Sequence, residues 1–412
     1  MKKTALLSLA LSSVVYVSCG QTTPAETVTA NASGSLPPVE TKAPNSPEYK
    51  PAFAGQTRVA GVKTKTPYEF KVLTEGLSFP WGVKYMPDGR LLVTEKEAGT
   101  LRIVKQNGEL SKPITGLPAV NSKGQGGLLG ITLDPNFEQN RMIYWAFSED
   151  FDGGTLTAVA KGKLSADESK IEGATVIYRA TPAYRGNLHY GGRVIFDKDG
   201  NLFVSTGERS DLATRPQAQS LNSGLGKIMR ITTDGKPVAG NPFMGQAGAR
   251  PELYSYGHRN VQGLTFNPAN GELFSNEFGP RGGDEINHVR PGKNYGWPTI
   301  TYGIEYSGKK IGEVIQQKDG MEQPTYYWDP SVSPSGMTFY SGDLIPEWKN
   351  NLFVGCLSGM HIARLVIENN KVVGEERLLS EEYQRFRDVT QGKDGAIYAV
   401  TDQGRLYKIT KK

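Results

Sequence analysis

The sequence predicts an all-β protein, a six-bladed β-propeller built from four-stranded antiparallel blades. The chain of 412 residues contains 49 glycines and 25 prolines, which is typical of many short strands joined by turns. A unit made of one turn and one apolar strand recurs six times, and no long amphipathic helical pattern interrupts it.

The recurring unit begins with a turn such as Asp-Gly or Asn-Gly and continues as a strand of alternating apolar residues. The even spacing of the copies gives each blade the length of a four-stranded unit with insertions. Two packed β-sandwich domains are the alternative, but no second linker divides the copies. The six copies lie at residues 87–95, 134–147, 199–207, 270–277, 350–355 and 394–402.

Residues 1–19 are predicted to be a signal peptide. Two lysines follow the first methionine, and the apolar run at residues 5–17 is too short to span a bilayer. Ser18 and Cys19 then resemble the end of a bacterial lipobox, in which Cys19 is lipidated. Tyr16 replaces the leucine that this motif prefers, so ordinary signal cleavage is the alternative. Either way the chain is expected to be exported, as a periplasmic protein or an outer-membrane-anchored lipoprotein.

Residues 20–58 are predicted to be a disordered tether, and residues 59–412 the propeller domain. The tether is rich in Thr, Ala, Pro, Ser and Gly, and has too few apolar residues to offset the entropy of ordering it. The lipid anchor is the only membrane contact expected. The net charge of +5 is small and dispersed, so no nucleic-acid partner is predicted.

Cys19 and Cys356 are the only cysteines. If Cys19 is lipidated or removed with the signal peptide, Cys356 has no partner, and no intrachain disulfide is expected to hold the fold. Cys356 lies in the apolar run at residues 352–357 and is predicted to be a small buried core residue.

The most polar stretch is residues 251–298, where we predict a hairpin from residues 264–266 and 272–275. Residues 276–297 carry many charges and glycines, and are predicted to form loops outside the core. Such loops commonly hold an ion or carry out chemistry. The alternative interpretation is structural: the glycines and asparagines form turns, and the acidic side chains cap neighbouring backbone groups.

His189 stands among glycines just before a predicted strand, where its near-neutral pKa suits a general base. A structural hydrogen-bonding role is the alternative. His258 is a candidate to support the site, whereas His288 and His361 are interpreted as structural. No zinc-site spacing or serine-hydrolase motif is present in the sequence.

Arg385 and Arg387 alternate along an extended run, so both guanidinium groups face the same side. Together they suit a ligand with several carboxylates. A surface pair balanced by Glu381, Glu382 and Asp388 is the alternative. The glycine-rich turn at residues 124–130 lacks the features of a phosphate loop.

Taken together, these segments resemble the soluble PQQ-dependent (quinoprotein) glucose/sorbosone dehydrogenase family, and in particular its aldose sugar dehydrogenase branch. The resemblance extends over residues 68–408 and is most specific between residues 256 and 298. The matching segments are residues 79–82, 124–130, 189–193, 256–264, 277–280, 284–287, 294–298 and 385–388.

The resemblance implies a six-bladed propeller that holds pyrroloquinoline quinone and calcium at one end of its central channel. It implies that His189 is the general base and that Arg259 stabilises the charge developing on the quinone. The residues it implies for cofactor binding are Gln125, Asn260, Gly279, Pro280, Leu357, Ser358, Arg385 and Arg387.

The resemblance also implies two kinds of calcium site. The backbone carbonyls of Gly279 and Pro280 would ligate the calcium that polarises the quinone. Glu285 and Tyr295, with Asp284, would serve a second, structural calcium. Oxygen ligands of this kind suit calcium and not zinc.

Two positions depart from the glucose-oxidising members of the family. Ser358 stands where those enzymes place a lysine, and Phe278 replaces a polar residue. Both changes favour the aldose branch, with oxidation of aldose sugars to lactones and transfer of the electrons to an external acceptor. A calcium-dependent propeller hydrolase of the lactonase type and a non-catalytic propeller that binds a carbohydrate or a partner are the alternatives. The hydrolase would not need Gln125 or the Arg385 and Arg387 pair, and the presence of His189 together with Arg259 argues against a binding propeller.

Overall fold

The structure, a computed structural model, describes residues 36–412 and is a six-bladed β-propeller. This confirms the predicted fold class. Within these residues no helix is long and apolar enough to cross a membrane. The predicted signal peptide and Cys19 lie outside the described residues.

The first strand of the described chain, β1 (Tyr68–Thr74), belongs to the last blade. Blade 1 contains β2 (Pro80–Tyr85), β3 (Leu91–Glu95) and β4 (Thr100–Val104). Blade 2 contains β5 (Leu128–Leu133), β6 (Met142–Phe151), β7 (Gly154–Leu164) and β8 (Ile171–Arg179). Blade 3 contains β9 (Val194–Phe196), β10 (Leu202–Ser205), β11 (Lys227–Ile231) and β12 (Leu253–Tyr256).

Blade 4 contains β13 (Val261–Phe266), β14 (Leu273–Glu277), β15 (Asp284–Val289) and β16 (Tyr326–Trp328). Blade 5 contains β17 (Pro334–Phe339), β18 (Leu352–Cys356), β19 (His361–Glu368) and β20 (Lys371–Leu378). Blade 6 contains β21 (Phe386–Gln391), β22 (Ile397–Thr401), β23 (Leu406–Lys411) and β1. The helices are short: α1 (Phe137–Asn140) and three 3-10 turns at Arg215–Gln219, Pro346–Trp348 and Ser380–Glu382.

All strand pairs within the blades are antiparallel. Blade 1 has three regular strands, and isolated bridges from Leu110 and Ile114 to β4 occupy its outer edge. Each of the six predicted repeat copies forms the turn before the second strand of a blade and that strand itself. The repeat found in the sequence is therefore the hairpin turn of every blade.

The ring is closed by pairing between the first and the last strand of the described chain. β1 pairs antiparallel with β23, from Tyr68 opposite Lys411 to Thr74 opposite Leu406. Tyr68, Phe70 and Val72 pack on the apolar core of blade 6. The first and last strands thus share one blade, and β1 covers the edge of β23 that would otherwise be free.

The inner strands β2, β5, β9, β13, β17 and β21 contact one another around the central axis. A buried ion pair lies there, with Arg193 Nη1 2.9 Å from Asp388 Oδ2. Asp388 also accepts the backbone N–H of Val83, and Arg193 donates to the carbonyl of Gln262 and lies over the ring of Trp81. One ion pair therefore ties blades 1, 3, 4 and 6 together.

Apolar side chains fill the spaces between neighbouring blades, for example in the cluster that joins blades 4 and 5. Cys356 belongs to this cluster and is a free, buried cysteine, as predicted. Burial raises the pKa of its thiol. In the described residues, packing and hydrogen bonds hold the fold.

Residues 36–66 form an N-terminal strap that packs against blades 4 and 5. Here the structure differs from the predicted disordered tether, because residues 36–58 are hydrogen-bonded to the propeller. Gln56 is fully buried and donates to the carbonyl of Pro324, while Val62 pairs with Glu375. The strap has few apolar residues, but its polar groups find partners that are distant in sequence.

The stretch at residues 276–297 also differs from the prediction of loops outside the core. It contains β15, and Asn276, Glu277, Asp284 and Asn287 are all buried. These polar side chains can lie inside because they hydrogen-bond to backbone groups and to one another. The predicted hairpin is present as β13 and β14.

Candidate active site

A cavity of about 550 Å³ opens at the end of the central channel where the inner strands begin. Loops from all six blades contribute to its wall, and its volume suits a small organic ligand. Nine of the ten residues predicted to be catalytic or cofactor-binding line it: Gln125, His189, Arg259, Gly279, Pro280, Leu357, Ser358, Arg385 and Arg387.

His189 projects from the loop before β9, at a backbone φ of 45°. This left-handed conformation is uncommon for a residue with a side chain and is enriched at functional sites. Its Nδ1 lies 2.6 Å from Oε1 of Glu208, and both side chains are buried. The carboxylate of Glu208 therefore fixes the orientation of the imidazole ring and directs Nε2 away from the hydrogen-bonded side.

The environment keeps His189 neutral. Burial, assisted by the positive charge of Arg259, lowers the pKa of His189 to about 4, although Glu208 opposes the shift. A neutral imidazole with one nitrogen held by a carboxylate is the form that can accept a proton at neutral pH.

Arg259 approaches the cavity from the loop before β13. Its Nη1 donates to the carbonyls of Phe278 and Gly279, at 3.0 and 2.7 Å, and its guanidinium lies over the ring of Trp297. Its Nε is buried without a partner among residues 36–412. This leaves one charged donor available to a ligand.

Asn260 is the one predicted cofactor residue that lies behind the cavity wall. Its Oδ1 accepts from the backbone N–H of Gly191 and from the amide of Gln262. Its Nδ2 is buried without a partner in the described part of the chain. Asn260 therefore supports the loop that carries His189.

Arg385 and Arg387 face the same side, as predicted. Both donate through Nε to the carboxylate of Asp402, each at 2.9 Å. Burial would raise the pKa of Asp402, but Arg387 and Arg385 hold it below its ordinary value. The neutralising acid is thus Asp402 and not Glu381, Glu382 or Asp388, and one carboxylate leaves the pair with a net positive charge.

Gln125 and Ser358 complete the polar lining. Gln125 Oε1 accepts the backbone N–H of His189 at 2.8 Å, so the glutamine also positions the base. Ser358 Oγ lies 2.8 Å from Ser333 Oγ and donates to the carbonyl of Ser331. No charged group stands at Ser358, whose neighbour Leu357 adds an apolar contact.

Of the predicted calcium ligands, Gly279 and Pro280 line the cavity. The carbonyl of Gly279 already accepts from Arg259, and that of Pro280 accepts from Ser331 Oγ at 3.3 Å. A carbonyl oxygen has two lone pairs, so each still has room for a further contact.

Asp284, Glu285 and Tyr295 are not brought together. Asp284 and Glu285 are consecutive in β15 and face opposite sides of the sheet. The hydroxyl of Tyr295 is bonded to the backbone of His288 and Arg290. Among residues 36–412 no cluster of three or more acidic, histidine or cysteine side chains could hold a metal. The second calcium site stays a prediction.

The carboxyl groups of Asp284 and Glu285 lie in environments that raise their pKa values. Asp284 accepts three backbone N–H groups, from Gly279, Val332 and Ser333, yet burial raises its pKa to about 6. Burial and the nearby charge of Glu277 raise the pKa of Glu285 well above its ordinary value.

Several residues of the site were not found in the sequence, among them Glu208, Lys96, Asn45, Arg281 and Tyr306. Lys96 and Glu208 directly follow the repeat copies at residues 87–95 and 199–207, where the chain reaches the mouth of the channel. That position in each repeat was the available signal. Asn45 lies in the strap, where no pattern in the sequence points to it.

Comparison with known proteins shows to which family the chain belongs. The sequence model of the family "Glucose / Sorbosone dehydrogenase" matches residues 77–408. The chain belongs to this family. The resemblance predicted from the sequence is therefore confirmed.

Three relatives illustrate the similarity. The chain is 42% identical over 349 residues to aldose sugar dehydrogenase YliI of Escherichia coli, covering 83% of this chain and 92% of that protein. The apo crystal structure of the soluble aldose sugar dehydrogenase from Escherichia coli superposes with a TM-score of 0.80 at 42% identity, over 84% of this chain and 100% of that one. The PQQ-bound aldose sugar dehydrogenase from Streptomyces coelicolor gives a TM-score of 0.69 at 29% identity, over 84% and 99%.

Proposed function

We propose that this protein oxidises aldose sugars at the anomeric carbon to lactones, using pyrroloquinoline quinone and calcium. The family assignment supports sugar oxidation. The observation that carries the mechanism is the His189–Glu208 pair in a cavity that also contains Arg259, Arg385 and Arg387.

The cavity fits a flat ligand with several carboxylates. Five cationic side chains line it, and the one lining carboxyl, Asp284, has a raised pKa. Arg259 Nε has no partner among the described residues and needs an acceptor oxygen. The five cations are Lys96, Arg259, Arg281, Arg385 and Arg387.

Bound pyrroloquinoline quinone, polarised by calcium, would supply the hydride acceptor. Arg385, Arg387 and Gln125 would hold its carboxylates and polar edge, Leu357 and Ser358 would contact it, and the carbonyls of Gly279 and Pro280 would face the calcium. Arg259 would stand where negative charge increases during the reaction, and a preorganised positive charge there favours the transition state.

His189 Nε2 takes the proton of the anomeric hydroxyl. Because its pKa lies near 4, the ring is neutral at physiological pH and ready to accept that proton. The charge of the resulting imidazolium is stabilised by Glu208, whose carboxylate is 2.6 Å from Nδ1. The two side chains thus work in sequence, one accepting the proton and the other compensating its charge.

The electrons leave to an external acceptor, which must approach through the open end of the cavity. We further propose that the protein is exported and anchored through Cys19.

Dye reduction by the purified apoprotein tests the function. Glucose and other aldoses are supplied with and without added pyrroloquinoline quinone and calcium. We expect turnover only when both are present, and a change in the quinone absorption spectrum on binding. No turnover together with no spectral change would reject the proposal and direct attention to lactone hydrolysis or ligand binding without catalysis.

A further inference from the structure

The N-terminal strap reaches the cavity of the candidate active site. It lies before residue 77, where the match to the family begins. One of its residues, Asn45, lines the cavity together with His189 and Arg259. The strap therefore adds to the pocket a side chain that the family match does not include.

Asn45 is held in place by residues on two sides. Its backbone N–H and its Nδ2 both donate to Oδ1 of Asp329, at 2.9 and 2.7 Å. Its Oδ1 accepts from Nε of Arg281 at 3.1 Å. Asp329 is itself buried and accepts the N–H of Ser46. The amide is consequently fixed, and one hydrogen of its Nδ2 has no partner among the described residues.

The loop beneath Asn45 is the one that carries the carbonyls of Gly279 and Pro280. Gly282, at a φ of 85°, lies so close to Asp329 that an added Cβ would be 2.6 Å from the carboxylate. Asn45 bonds to Asp329 and to Arg281, the residue before this glycine. The strap thus braces one wall of the cavity as well as lining it.

The same wall presents an exposed aromatic ring. Arg281 pairs with Ile304, and Tyr306, two residues further on, lines the cavity with 73% of its surface exposed. A fixed amide donor and an aromatic residue that line the same cavity suit a polyhydroxylated ring, which offers hydroxyl oxygens at its edge and C–H groups on its faces. Carboxylates would instead be drawn to Arg385 and Arg387.

We propose that Asn45 is a substrate-binding residue that donates its free amide hydrogen to a sugar hydroxyl other than the anomeric one. The inference rests on the proposed function, in which the anomeric hydroxyl is engaged by His189. Asn45 and Tyr306 then determine which sugars fit the outer part of the pocket.

The test compares Asn45→Ala with the wild type after loading with pyrroloquinoline quinone and calcium. Loss of one neutral hydrogen bond is expected to raise KM for glucose roughly three- to tenfold with kcat unchanged, because the contact is made equally in the ground and transition states. Calorimetric titration with anhydroglucitol, which lacks the anomeric hydroxyl and cannot be oxidised, should show the same loss of affinity.

A series of deoxyglucoses, each lacking one hydroxyl, identifies the contact. For one member, KM should rise in the wild type but not further in Asn45→Ala, since both changes remove the same hydrogen bond. Gln56→Ala is the matched control, because the side chain of Gln56 anchors the strap without lining the cavity: it donates to the carbonyl of Pro324 and accepts from the hydroxyl of Tyr302. It should lower the melting temperature and leave KM unchanged.

The inference is overturned if KM and the anhydroglucitol affinity are unchanged in Asn45→Ala, or if Gln56→Ala reproduces the effect. Weaker quinone binding with unchanged sugar KM would assign Asn45 to the cofactor instead, and would equally overturn it. If Asn45→Ala does not fold, Asn45→Ser is used for the same series. Failure of the proposed function looks different, because the wild type itself would then neither bind the quinone nor turn over.

Discussion

His189 owes its chemical state to two neighbours that act in opposite directions. Arg259 adds to the effect of burial and lowers its pKa, whereas Glu208 raises it and holds Nδ1. The balance leaves a neutral ring with a fixed orientation. The next two predictions concern this ring: the effect of replacing it, and the pH at which it becomes protonated.

We expect His189→Gln to lower kcat by roughly 10² to 10⁴, which is the usual contribution of a general base. Quinone affinity, measured by absorbance titration, should stay close to that of the wild type because the cofactor contacts lie mainly at other residues. Leu212→Ala, an exposed change outside the cavity, serves as the control. A fully active His189→Gln enzyme would place the base elsewhere.

The pH profile of kcat/KM should fall on the acid side near pH 4, the pKa of His189, and not near 6.5. Above pH 4 the ring is neutral and can accept a proton; below it the protonated ring cannot. Glu208→Gln removes a group that raises this pKa, so the acid limb should move to lower pH while kcat decreases. Fluorescence at each pH separates titration from unfolding, and a limb near 6.5 would contradict the assignment.

Much of the candidate site was predicted through the family resemblance, because motifs such as residues 124–130, 256–264 and 385–388 are short continuous segments that can be matched in the sequence. Glu208 could not, since its role depends on burial between blades and on the distance to His189. Asn260 was predicted to contact the cofactor but is not among the residues that line the cavity; its Oδ1 accepts from Gly191 and Gln262, whereas its Nδ2 has no partner among the described residues.

At the scale of elements, β1 is important out of proportion to its seven residues, because it supplies the outer strand of blade 6. Phe70 packs on Tyr407 with ring centroids 6.0 Å apart. We expect Phe70→Ala to reduce the free energy of unfolding by about 2 kcal/mol, since a half-buried ring is lost. Denaturant titration measures the change.

Lys71→Ala is the control for this strand, because Lys71 is exposed and lies on the opposite face of β1. Its effect should stay within about 0.5 kcal/mol. Equal effects of the two substitutions would show that packing of β1 on blade 6 contributes little to stability.

Comparison of the blades with the strap shows which elements local sequence patterns can predict. Every blade has a turn between its first and second strands, and local turn chemistry predicted all six copies. The strap has no such local signal: its order depends on Asp329, Gln323 and Glu375, which are far away in sequence. A polar, proline-rich composition therefore predicted disorder where long-range hydrogen bonds give order.

At the scale of the whole molecule, the ion pair of Arg193 and Asp388 links four blades at the axis. Asp388→Ala leaves Arg193 buried without its partner, and we expect a loss of about 3–5 kcal/mol in the free energy of unfolding. Asp343→Ala, which breaks an exposed pair with Lys349, should cost less than about 1 kcal/mol. If the two substitutions reduced the free energy of unfolding by similar amounts, the buried ion pair at the axis would contribute no more to stability than an exposed one.

The pairing of β1 with β23 also has a consequence for biosynthesis. The ribosome makes β1 before the other strands of the propeller, but the residues that pair with it, Leu406–Lys411, follow all of those strands in the chain. The ring cannot close until β23 has been made, and until then β1 presents an unpaired edge open to wrong partners. A premature stop that removed only this final strand would leave every residue of the pocket in the chain, yet would yield an open, aggregation-prone product.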